Sequence, residues 1–76
     1  MKKHEIEALR ENNRVDAVKI VRSPSNAREW VVLFKEIEGK SFFLISDEDQ
    51  VCSYVTLDAA VETLDALGFA RAEILF

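Results

Sequence analysis

The chain reads as a small α+β domain. Three observations predict it: apolar residues that alternate through several short segments in the middle, a helical apolar stripe after Thr56, and turn-forming residues wherever the period changes. Seventy-six residues make one domain, residues 1–76, near the lower size limit for folding alone, where about 60% of the unfolded surface is buried. An apolar fraction of 49% is that of a globular chain rather than a disordered one.

Residues 3–12 predict a short helix, with Ile6 and Leu9 on one face, Ala8 at its margin, and Asn12-Asn13 as its end, since Asn tolerates the left-handed conformation. Two large apolar side chains make a thin stripe, so this helix must lean on the rest of the protein. Val15–Arg22 predicts a strand with Val18 and Ile20 on one face and Ala17, Lys19 and Val21 on the other. The turn Ser23-Pro24-Ser25-Asn26 follows. Glu29–Ile37 predicts a second strand, with Trp30, Val32 and Phe34 opposite Val31, Leu33 and Ile37. Glu38-Gly39-Lys40 is a hairpin connection. Ser41–Ser46 predicts a third strand, apolar on both faces through Phe42 and Leu44, then Phe43 and Ile45.

Asp47–Gln50 predicts a second turn, and Val51–Val55 a fourth strand. Thr56 is a helix N-cap, its hydroxyl accepting from a free backbone N–H. Leu57, Ala60, Val61, Leu64 and Leu67 form the core stripe of the second helix, and Gly68 stops it. Ala72, Ile74 and Phe76 alternate along a last strand. The expected order is α-β-β-β-β-α-β, a five-stranded, mainly antiparallel mixed sheet with helices on one face. A strand–helix–strand unit in one sheet is expected to pair its strands in parallel.

The second and third strands are apolar on both faces, yet two short helices cover only one. An uncovered apolar sheet face marks an interaction surface, so a homodimer or an obligate partner is expected, with Trp30, Val32, Phe34, Phe42 and Leu44 as the interface. The alternative is that the N-terminal segment wraps across the second face.

The net charge of −4 is unevenly placed. Residues 1–30 hold seven Lys/Arg and five Asp/Glu, and residues 31–76 hold three and nine. The C-terminal part is thus disfavoured as a face for nucleic-acid phosphates. Asp58, Glu62 and Asp65 are the only charged residues of the second helix, about 6 Å and about 4.5 Å apart along its axis. With Asp47, Glu48 and Asp49 they form the candidate acidic surface, which would steer onto a basic protein partner, for example a nucleic-acid-binding protein. The competing reading is a solvated polar face. A second functional class is direct nucleic-acid contact through Lys2, Lys3, Arg10, Arg14, Lys19 and Arg22.

Little points to catalysis. His4 is the only histidine and Cys52 the only cysteine, which rules out an intramolecular disulfide and a multi-cysteine metal site. Asp47-Glu48-Asp49 lacks the alternate spacing and glycine of a calcium loop. The two glycines, Gly39 and Gly68, serve a turn and a cap, leaving none for a phosphate loop. The aromatics lack the interleaved Arg/Lys of sheet-based RNA binders. No catalytic residue, cofactor or metal is expected, and the apolar runs are too short for a membrane span. The N-terminus lacks a signal-peptide core, so a cytoplasmic location is expected.

The runs Ser41-Phe42-Phe43-Leu44, Thr56-Leu57-Asp58-Ala59-Ala60 and Leu67-Gly68-Phe69-Ala70-Arg71-Ala72-Glu73-Ile74 resemble small accessory proteins encoded on plasmids and integrative elements. The likeness would run from Val15 onward, and its motifs are structural. In size and acidity the chain also resembles phage-encoded anti-CRISPR proteins. Both resemblances imply a non-enzymatic protein of a mobile element, either a regulator acting on a protein or a replication and maintenance accessory.

Overall fold

A computed structural model describes all 76 residues. Its elements are α1 (Lys3–Glu11), β1 (Val15–Arg22), β2 (Trp30–Glu36), β3 (Ser41–Phe43), α2 (Leu57–Ala66) and β4 (Glu73–Ile74). The class is α+β, but the sheet has four strands, in the order β3-β2-β1-β4. β1, β2 and β3 form an antiparallel meander, and β4 joins the far side of β1 in parallel.

The expected strand Val51–Val55 does not form. Its backbone is divided between two partners: Cys52 N–H donates to Leu44 O, while Tyr54 and Trp30 exchange both of their backbone hydrogen bonds. Only isolated bridges result, Ile45 with Val51 and Trp30 with Tyr54. The third strand is likewise cut back from Ser41–Ser46 to Ser41–Phe43. Beyond it Leu44 N–H still reaches Val32 O, but Ile45 N–H turns to Met1 O.

Local chemistry accounts for the helix ends. The Lys2 N–H donates to Glu5 Oε1 at 3.0 Å, satisfying one free donor at the start of α1. Asn13 follows α1 with φ 56°, as the Asn pair leads one to expect. Thr56 caps α2 by accepting from Ala59 N–H at 3.2 Å, and Gly68 leaves it with φ 91°.

Both helices lie on one face of the sheet. Ile6 from α1 and Ala60, Leu64 and Leu67 from the α2 region pack with Val18, Ile20, Trp30, Val32, Phe34 and Leu44 as one buried cluster. Phe69 extends it, its ring centroid 5.5 Å from that of Phe34. This corrects the expected interface. Trp30, Val32, Phe34 and Leu44 are buried beneath the helices, and Phe42, opposite Phe34 in register, shares their face. α1 adds to the same layer and does not wrap the other face. The face left without a helix carries Val21, Val31, Leu33 and Phe43, which register places side by side.

Candidate functional site

α2 crosses the sheet so that one flank looks toward β4. At about 100° per residue, Leu57, Ala60, Leu64 and Leu67 cluster on one side of the helix, with Val61 at the margin of that arc. Asp58, Asp65 and Glu62 come next around the helix beyond Val61. The structure follows this geometry: Ala60 and Leu64 are buried, whereas Val61 is 46% exposed and so stands outside the core to which its spacing assigned it.

Between this flank and the segment leading into β4 lies a groove of about 380 Å³. Its walls include Val61, Leu64, Phe69 and Ile74, with Glu62 and Asp65 on the helix side and Arg71 on the strand side. Ile74 is 36% exposed. The groove exists because β4 pairs with β1 through only two residues, Lys19–Glu73 and Ile20–Ile74. The approach Phe69–Ala72 therefore runs free of the sheet and leaves a gap beside α2.

The two acids on this groove, Glu62 and Asp65, form no ion pair, although Arg71 lines its other wall; Asp58 lies outside it on the same helix. Asp58, Glu62 and Asp65 are all exposed, and none takes part in the ion pairs of the molecule, which are Lys2–Asp49, Arg14–Glu36, Arg14–Glu38 and Lys35–Asp16. α2 has no basic residue in its last turn, so Asp65 adds an acid to the negative end of the helix dipole with no base from the helix itself to offset it. Asp47, Glu48 and Asp49 are exposed in a separate turn, where Asp49 has φ 61° and lies 3.6 Å from Lys2 Nζ. They do not line the groove.

A second, wider cleft of about 740 Å³ lies between the end of α1, β1 and residues 68–73. It mixes charges of both signs, Arg10 and Arg71 with Asp16 and Glu73, and half its lining residues are apolar. Its charges balance, two of each sign, so it has no net field to select a partner.

The basic residues proposed for nucleic acid are dispersed. Arg14 donates to Glu36 and Glu38, and these hydrogen bonds raise its pKa further above the range in which it could lose its proton. Lys2 meets Asp49. Arg22 lies over the Trp30 ring, 4.0 Å from its centroid. Arg10 lies against Gly68, Lys19 is on the helix-free sheet face, and Lys3 is exposed on α1.

His4 is exposed on α1, and Cys52 is partly buried against the core beside Tyr54, whose hydroxyl is pushed up in pKa chiefly by burial. The groove residues Phe69 and Ala72 were missed by sequence reasoning. The available signal was Val61, an apolar residue at the acidic edge of its stripe. Compared with protein-family models, with curated proteins and with solved structures, the chain gives no match in any of the three.

Proposed function

We propose that this protein is a small, non-catalytic protein-binding module whose site is the groove between α2 and β4. The observation that carries the reading is the coincidence of exposed apolar walls, Val61 and Ile74, with acids on the rim that form no ion pair, Glu62 and Asp65. An apolar groove supplies buried area, and an unpaired acidic rim supplies steering and orientation. The occupant that fits is an amphipathic basic segment, with its apolar side chains in the groove and its Lys or Arg residues against α2.

The test is an amide NMR titration with a synthetic amphipathic Leu/Lys peptide, and with its Leu/Glu counterpart as control. The basic peptide should perturb Val61, Phe69 and Ile74, and its binding should weaken as salt screens the rim. The double variant Glu62→Lys, Asp65→Lys should lose affinity several-fold, since each reversed rim charge changes the interaction by a fraction of a kcal/mol or more. Unchanged affinity in that variant, or shifts confined to another surface, would remove the groove from the reading.

A further inference from the structure

One edge of the groove is also a free edge of the sheet. β4 is an outermost strand, paired with β1 alone. Successive residues of a strand turn their backbone N–H and C=O groups to opposite sides. Leu75 N–H donates to Ile20 O, so the backbone of Leu75 faces β1 and that of Ile74 faces away. Before β4, Ala70, Arg71 and Ala72 make no backbone–backbone hydrogen bond. Every residue from Ala70 to Phe76 is exposed. A row of backbone donors and acceptors without partners in the chain therefore runs beside the groove. Such edges are commonly closed by a lysine, a proline, a bulge or a covering segment. Residues Ala70–Phe76 contain neither lysine nor proline. β4 is short as a ladder on β1, yet the exposed run continues on both sides of it.

A helical occupant would satisfy its own backbone and leave this row to water, whereas an extended one would pair with it. Charge selects among extended occupants. Glu62 and Asp65 on the α2 flank and Glu73 on β4 set three acids against one base, Arg71. Lys19 lies one strand further in, opposite Glu73 in register. A second copy would bring the same acidic excess with its own edge, so pairing of two β4 edges is opposed, and a basic strand is favoured. We infer that the groove takes its partner as an extended basic segment, which adds a fifth strand to the sheet outside β4. Side chains on the helix side of that strand would rest on Val61 and Ile74, with Lys or Arg reaching Glu62 and Asp65. This rests on the groove reading above and specifies the form in which the partner is recognised.

The probe is an end-blocked peptide of alternating Lys and Val, about seven residues long so as to span the exposed run. It is made in three forms: unmodified, N-methylated at every Val, and N-methylated at every Lys. N-methylation removes a backbone donor, and in a strand all amides of one alternating type face one side. Added to the wild-type chain, the unmodified peptide should shift the amides of Val61, Phe69 and Ile74, with the Ile74 amide proton moving downfield as it gains a hydrogen bond. One methylated form should bind within about twofold of the unmodified peptide and the other at least about tenfold more weakly, because several paired donors are lost together. Which form is lost reports the direction of the added strand. Loss in both forms, or in neither, overturns the inference and leaves the groove reading standing. So does failure of the alternating peptide where a Leu/Lys peptide of helical period binds the groove. Failure of both peptides to bind there overturns the groove reading as well.

Discussion

At the scale of single residues, Gly68 and Arg10 show how a position is fixed by two independent requirements. Gly68 has φ 91°, a conformation costly for any residue with a Cβ. A Cβ built there would also fall 2.9 Å from the Arg10 guanidinium carbon. The guanidinium thus lies against the C-terminal end of α2, a helix with no base of its own in the last turn. It offsets the negative end of the dipole from another element. Gly68→Ala should destabilise the fold by about 1–3 kcal/mol from backbone strain, read from urea denaturation. Arg10→Ala should cost only about 0.3–1 kcal/mol. If the backbone is the cause, Gly68→Ala should remain as costly in the Arg10→Ala background; full relief there would instead assign the cost to the side-chain contact. The glycine and its role as a stop were legible in the chain, because a helical stripe ends at it. Arg10 was not, since the meeting of two helix C-termini is a tertiary fact that no local pattern encodes.

At the scale of elements, α2 joins stability and binding in opposition. Its N-terminus is well made, with Thr56 accepting from Ala59 N–H and Asp58 in the first turn. Its C-terminal turn is not, since Asp65 sits there as an acid three residues after Glu62, a like-charge pair on one face. Asp65→Lys should therefore stabilise the protein by about 0.5–2 kcal/mol, by removing one unfavourable dipole interaction and adding a favourable one. The same change should weaken the basic peptide in the groove. Denaturation midpoints and peptide affinity should move in opposite directions; unchanged affinity would mean that Asp65 is merely solvated. The helix was readable because cap, stripe and stop agree. The strands were less so. Alternation established that β2 has two apolar faces but carries no information on which face the helices choose, so Trp30, Val32, Phe34, Phe42 and Leu44 were assigned to the wrong side. Val51–Val55 has strand composition, yet its hydrogen bonds go to Leu44 and Trp30 in turn. A ladder needs one continuous neighbour, and only the tertiary path reveals that it has two.

Across the whole molecule, order is concentrated at the centre of the sheet. β1 and β2 pair over seven positions and contribute most of the fully buried side chains, among them Ile20, Val31, Val32 and Phe34. β4 is held by two register pairs, with Leu75 N–H donating to Ile20 O beyond them. Phe76 is 91% exposed even though its ring stands edge-on to Trp30 at 6.0 Å. Local opening free energies follow such differences in burial and pairing. Amide hydrogen exchange should be slowest in Val18–Val21 and Val31–Phe34, approaching the global unfolding free energy. It should be fastest among the hydrogen-bonded strands at Glu73–Leu75. One wall of the groove would then be the least protected strand of the sheet, and an occupant lying between α2 and β4 should slow exchange at Phe69–Leu75 in proportion to its binding free energy. The centre of β1 and β2, already near the global limit, should gain only what binding adds to the whole molecule. Uniform slowing without an excess at Phe69–Leu75 would place the peptide elsewhere, whereas slowing confined to Val21, Val31, Leu33 and Phe43 would locate it on the helix-free face.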